Sequence, residues 1–153
     1  MAEWINPIFD RTQADVDFAL SKIAEWRNSK ADGEDELRGC LNVSDINRIE
    51  NNIRYLSDNL SDLCYFPHAD TRVWDSKGLP NTDDISRIIG NVRKIISAFC
   101  QHDTAPTLPE TMLTYEQIND IEGNLYLIKE LLDNMISDFR ECGTFECGEG
   151  QYD

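Results

Sequence analysis

Apolar residues along the chain form four groups with helical spacing, in steps of three and four residues. Three groups keep these steps throughout: Ile46, Ile49, Ile53, Leu56 and Leu60; Ile85, Ile88, Val92, Ile95 and Phe99; Ile118, Ile121, Leu125, Ile128 and Leu132. The first group is looser, with Val16, Ala19 or Leu20, Ile23 and Trp26. Seams of about two heptads are too short for isolated coiled coils, so we expect them to close on one another or on neighbouring chains.

A short sequence recurs where the three regular groups begin. The copies start at Asp45, Asp84 and Gln117 and read DINRIENNI, DISRIIGNV and QINDIEGNL, and a degenerate copy starts at Asp15. Offsets of 30, 39 and 33 residues separate the four starts. These spacings are typical of helical repeats, which can form a closed bundle or a solenoid.

Each copy carries a helix start signal three residues upstream, where the side chain can cap an orphan amide. The four predicted caps are Thr12, Asn42, Asn81 and Thr114. The aligned residue then falls at the third helical position, where Asp or Gln completes a capping box. The sequence predicts helices over 13–29, 43–64, 82–101 and 115–141.

These elements predict an all-α fold, a bundle of three to four helices built from degenerate repeats of about 30–39 residues. Residues 1–153 form one domain in this interpretation, with an extended arm over 1–12, helical repeats over 13–141 and a tail over 142–153. The connectors are long enough to return along a whole helix. Parallel and antiparallel neighbours are therefore both allowed.

Polar residues also recur at fixed repeat positions. Asn52, Asn91 and Asn124 share one position beside the seam, which predicts a structural hydrogen bond to a connector backbone or an adjacent helix. Arg48 and Arg87 share another position, occupied by Asp120 in the last copy. An ion pair between helices is expected there.

The arm and the connectors carry apolar residues outside the seams. These are Trp4, Ile5, Ile8 and Phe9 in the arm, and Trp74 and Leu108 in the connectors. The arm is too apolar for a free tail. It can pack on the chain's own bundle or on a neighbouring subunit, and we take all six residues as candidate partner-binding residues.

The composition argues against several function classes. Fourteen basic residues against 29 acidic ones give a net charge of −15, unfavourable for binding nucleic acid. No apolar run suits a membrane span, and no signal peptide is evident, so a cytosol-like site of synthesis is expected. An odd set of five cysteines without paired close spacings and two isolated histidines, His68 and His102, predict no metal, no required disulfide and no cofactor. Without a convergent nucleophile, base or phosphate loop we expect no catalytic residues and no small-molecule substrate.

Three segments resemble small helical structural proteins of tailed bacteriophages and prophages of Gram-positive bacteria. They are WINPIFDRTQADV at 4–16, LNVSDINRIENNIRYL at 41–56 and LTYEQINDIE at 113–122. The resemblance covers nearly the whole chain except the tail over 142–153. It implies a non-enzymatic component of the virion, in the tail, baseplate or tail-fibre region, made in the host cytoplasm. Its implied partners are other tail or baseplate proteins and copies of itself.

The alternative is an acidic phage-encoded inhibitor that mimics DNA and occupies a basic cleft of a host protein. Mimicry would favour a regular row of carboxylates on one face. A particle component would instead leave apolar arm residues exposed in the isolated chain.

Overall fold

The computed structural model describes residues 2–29, 36–75, 78 and 80–142. They form four helices: α1 (Gln13–Ser29), α2 (Val43–Asp62), α3 (Thr82–Ala98) and α4 (Tyr115–Cys142). No β-strand occurs within these ranges, so the all-α prediction is confirmed. All four helices begin directly after the predicted caps. The predicted tail begins one residue too early, because Cys142 still belongs to α4, and residues 143–153 lie outside the described part.

The core is made by α2, α3 and α4, which pack against one another in all three pairs. Their predicted seams supply nearly all of the buried apolar side chains, and Met112 from the last connector joins them. Two seam residues, Ile85 and Phe99, are only partly buried at the edge of this core. The bundle is therefore closed by three helices.

The three core helices are parallel, as contacts at two heights show. Near the starts of the helices, Arg87 of α3 pairs with Glu50 of α2, and Arg48 of α2 pairs with Glu122 of α4. Farther along, Phe99 meets Tyr65 with ring centroids 5.3 Å apart, and Lys129 lies 5.8 Å from the centroid of the Tyr55 ring. The order of contacts along both partners is the same, so the long connectors run back along the bundle.

Parallel packing brings the positive ends of the three helix dipoles to one end of the bundle. Acidic residues at the third helical position offset this potential. The Asp45 carboxylate accepts a hydrogen bond of 2.9 Å from the Asn42 backbone amide, and Asp84 accepts one of 3.1 Å from Asn81. The acidic residues at the starts of α2 and α3 therefore also help to make the parallel arrangement tolerable.

Two helices end earlier than the sequence predicts. Residue 64 was expected inside α2, but Cys64 adopts a left-handed φ of 66°, and the Tyr65 amide donates to Leu60 O at 2.8 Å. This bond closes the last turn after Asp62. α3 stops at Ala98, short of the predicted residue 101, because Phe99 leaves helical geometry with a ψ of −92°.

α1 lies outside this core. Ala19 is its one buried residue, while Phe18 and Leu20 are exposed. Its first turn packs closely on the turn before α2: a Cβ added to Gly39 would lie 2.1 Å from Asp15 O. The degenerate first repeat therefore forms a helix but does not complete a four-helix core.

Candidate interaction site

Each groove between two core helices contains an extended segment. The arm, residues 2–12, lies between α4 and α2, and residues 66–75 lie between α2 and α3. Residues 99–113 follow α3 and contact α4. The arm therefore occupies the position that a connector occupies elsewhere in the bundle.

The recurring asparagine of each repeat binds the backbone of one extended segment. Asn52 accepts a hydrogen bond from Ile5 N at 3.0 Å and donates to Ile5 O at 2.7 Å. Asn91 does the same with Asp70, at 3.1 and 2.6 Å. Asn124 donates to Pro106 O at 2.9 Å. These buried amides hold the connectors by their main chain, independently of connector sequence.

Asparagine at a second repeat position also hydrogen-bonds to the backbone of an extended segment, from the opposite wall of two of the grooves. Asn47 accepts from Trp74 N at 2.7 Å and donates to Trp74 O at 2.9 Å. Asn119 accepts from Arg11 N at 3.3 Å and donates to Arg11 O at 2.9 Å. The arm and the 66–75 segment are thus clamped from both sides.

Buried ion pairs join the same helices. Glu122 of α4, whose side chain is 1% exposed, lies 2.7 Å from Arg48 and 3.4 Å from Arg11. Arg11 also reaches Asp45 at 2.8 Å, so two arginines and two carboxylates form one cluster. In the next groove Glu50 pairs with Arg87 and accepts a hydrogen bond from Trp74 Nε1 at 3.2 Å.

The ionisation of these carboxyl groups follows their surroundings. Burial raises the pKa of Asp45, but the Asn42 amide and the guanidinium groups of Arg48 and Arg11 outweigh it, so the pKa lies below 3.8. Asp120, at the repeat position of Arg48 and Arg87, has no ion-pair partner among the described residues. Burial, with the Glu116 charge nearby, raises its pKa above 3.8.

The structure places the arm on the chain's own bundle, one of the two predicted alternatives. Trp4 is half-buried against Tyr55, with ring centroids 5.5 Å apart, and Ile8 is half-buried. Ile5 and Phe9 remain 46% and 42% exposed. Trp74 and Leu108 also pack partly buried against the core. A role of these connector residues in partner binding stays a prediction.

Sequence reasoning missed several residues that shape the site. Arg11 precedes the first predicted cap and is not among the candidate residues, yet it is 3% exposed and central to the charge cluster. Glu50 and Glu122 occupy the same repeat position, and each pairs with the recurring arginine of another copy. Glu50 pairs with Arg87 of the following copy, and Glu122 pairs with Arg48 of an earlier copy. That coincidence was present in the sequence and could have identified the partners.

A cavity of about 540 Å³ lies on the outer face of α2, between the arm and the 66–75 segment. The residues that line it include three arginines and no acidic residue. The lining residues are Ile5, Ser44, Asn47, Arg48, Asn51, Arg54, Arg72 and Val73. We call this cavity the α2 groove. It brings the predicted arm residue Ile5 next to the connector that contains Trp74.

Comparison with known protein families, with curated proteins and with solved structures finds no match to this chain. Within the described ranges, no helix has the length and apolar character that a bilayer crossing requires. The same residues contain no group of three or more His, Cys, Asp or Glu side chains arranged to hold a metal ion.

Proposed function

We propose that this protein is a non-enzymatic structural component of a bacteriophage virion, in the tail, baseplate or tail-fibre region. It acts by assembling with other tail proteins and with copies of itself. The observation that carries the proposal is the exposure of apolar side chains on an arm whose backbone is hydrogen-bonded to the helical bundle. Asn52 holds the Ile5 backbone, and the ring centroids of Phe9 and Tyr126 lie 5.2 Å apart, yet the Ile5 and Phe9 side chains stay accessible.

Fixed backbone makes such residues effective in assembly. A side chain held in place loses little further entropy on binding, and burying a large apolar one contributes about 1.5–3 kcal/mol. Val73 at 79% and Leu113 at 79% are further exposed apolar residues on other segments. Several such points on one helical bundle suit a subunit that touches more than one neighbour.

The competing role as a DNA mimic has weaker support. Asp45, Glu50, Asp84 and Glu122 are buried in caps or ion pairs, so these carboxylates are not available to a basic cleft. The exposed arm residues are the feature that favours assembly over mimicry.

The first experiment asks whether the chain is in the particle. Particles produced from the genome that encodes it are purified and their proteins identified by mass spectrometry. We expect the chain in stoichiometric amount with other tail proteins. Its absence from intact particles would refute the structural role.

A second experiment tests the arm. The double substitution Ile5→Ser with Phe9→Ser removes exposed apolar contacts, and Glu3→Gln on the same arm is the control. We expect both variants to keep the helical signal in circular dichroism, and the double variant alone to be lost from particles. Normal incorporation of the double variant would exclude the arm as the point of attachment.

A further inference from the structure

We propose that the α2 groove binds an acidic segment of a partner protein, with carboxylates on Arg54 and Arg72 and an apolar side chain between Ile5 and Val73. This inference deepens the proposed assembly role, because it states the chemistry of one partner. It depends on the composition of the groove, on the Arg54 guanidinium, which pairs with no carboxylate of the described residues, and on the charge of the rest of the molecule.

Arg54 has unused binding capacity. Its Nε donates to Thr71 Oγ1 at 3.0 Å, and among the described residues no carboxylate pairs with it. The two terminal nitrogens of its guanidinium therefore keep their N–H donors, in the planar geometry that suits a carboxylate. The Thr71 bond fixes the side chain in advance, which lowers the entropic cost of binding.

Arg72 supplies a second point of contact. Its Nη1 lies 2.8 Å from Asp84 Oδ1, and its side chain is still 55% exposed. Arg48 behind it is already paired with Asp45 and Glu122. Within the described part of the chain, the groove thus offers one guanidinium without a carboxylate partner and one that is partly used, and no acidic residue in its walls competes for them.

Charge decides between candidate ligands. A groove with three arginines is unusual on a chain of net charge −15. The surrounding negative field repels a long polyanion such as DNA, whose phosphates would extend beyond the groove. A short segment with few carboxylates can place all of its charge next to the arginines. The apolar rims, Ile5 and Val73, favour a segment that also carries apolar side chains.

The test uses a short fluorescein-labelled peptide of alternating glutamate and leucine. A peptide of alternating lysine and leucine with the same length and label is the control. We expect the acidic peptide to bind the full chain saturably in fluorescence anisotropy. The basic peptide, which the net charge of −15 attracts to other surfaces, should not bind at the groove. Amide shifts in NMR spectra should include Asn51, Arg54 and Val73. No saturable binding of the acidic peptide at millimolar concentration would overturn the proposal.

Variants locate the binding site. Arg54→Glu should weaken peptide binding by at least about tenfold, and Arg72→Gln should weaken it less. Arg93→Glu is the control, since Arg93 is also exposed and pairs with a surface carboxylate, Glu110, away from the groove. Circular dichroism of each variant checks the fold. Equal loss in the control, or no loss in Arg54→Glu, would overturn the assignment.

Two further results separate the alternatives. Inorganic phosphate could compete as effectively as the unlabelled acidic peptide, or single-stranded DNA could bind to the same residues. Either result would show that the groove binds phosphate instead of an acidic segment. Presence of the wild-type chain in particles together with normal incorporation of Arg54→Glu would remove the groove from assembly and leave the proposed function intact. Peptide binding by a chain that is absent from particles would support the groove as a binding site and refute the proposed role in the virion.

Discussion

The junction of α2 with α4 and the junction of α3 with α4 use the same repeat positions with different chemistry. In the first, Glu122 faces Arg48 across the groove, and Arg11 and Asp45 complete a buried charge cluster. In the second, the corresponding positions hold Ile89 and Asp120; Ile89 is buried in the apolar core, and Asp120 has no ion-pair partner among the described residues. One junction is specified by charge and the other by apolar packing.

The difference indicates what the ion pairs contribute. The apolar seams of α2, α3 and α4 are nearly equivalent, so they alone would allow the helices to slide or exchange places. A buried pair tolerates no shift, because each displaced charge would lose its partner without regaining water. We infer that the two charged junctions set the order and register of the three helices, so that the third junction can be apolar.

The largest effect is expected from placing a charge in the apolar junction. Ile89→Glu buries an unpaired carboxylate and should lower the free energy of unfolding by about 4 kcal/mol. Adding Asp120→Arg recreates the pairing of the other junctions, and we expect it to restore about 1–3 kcal/mol. Urea denaturation of the two single variants and the double variant measures this coupling; strictly additive effects would show that the repeat relation does not extend to this junction.

The charged junction can be weakened by one substitution. Glu122→Gln leaves Arg11 and Arg48 with a single carboxylate, Asp45, and should cost about 3 kcal/mol. Asp120→Asn is the matched control on the same helix and should change stability by less than about 0.5 kcal/mol. Equal effects of the two substitutions in urea denaturation would contradict the conclusion that charge stabilises the junction of α2 with α4 and not that of α3 with α4.

The clamps can be tested in the groove beside the charge cluster. Asn52→Ala leaves the amide and carbonyl of Ile5 without partners and should cost about 2 kcal/mol. Its neighbour Asn51 makes one exposed bond, to Glu3 O at 2.6 Å, and Asn51→Ala should cost far less. Limited proteolysis should cut the arm of the Asn52 variant first. Equal protection of the arm in both variants would show that the buried amide does not hold it.

The two junctions should respond to pH in opposite directions. The pKa of Asp45 in the folded state is below 3.8, so its contribution is complete above that value and is lost as the pH falls through the lowered pKa. The pKa of Asp120 is raised, so its contribution is present below 3.8 and is lost as the pH rises through the raised pKa.

Urea midpoints measured from about pH 3 to pH 6 test these signs. The destabilisation caused by Asp45→Asn should shrink toward low pH. Asp120→Asn should become relatively more stable than the wild type as the pH rises. A parallel shift of both variants with pH would contradict the assignment.

The sequence by itself determined the helices and the groups that hold the connectors. Caps and helical spacing are local properties, so Thr12, Asn42, Asn81 and Thr114 mark the helix starts without any knowledge of packing. The recurrence of Asn52, Asn91 and Asn124 likewise indicated a common structural bond. Helix ends were predicted less accurately. Cys64 after α2 adopts a left-handed φ that its residue type does not favour, so the sequence does not indicate it.

Only the tertiary structure decided how these parts combine. Connectors long enough to return along a helix permit either direction, and the parallel order follows from which side chains meet across the grooves. The exclusion of α1 from the core, the burial of Arg11 and the meeting of Ile5 with Arg54 and Val73 likewise join residues far apart in the chain. Periodicity describes one face of one helix at a time, and it contains no information about which faces meet.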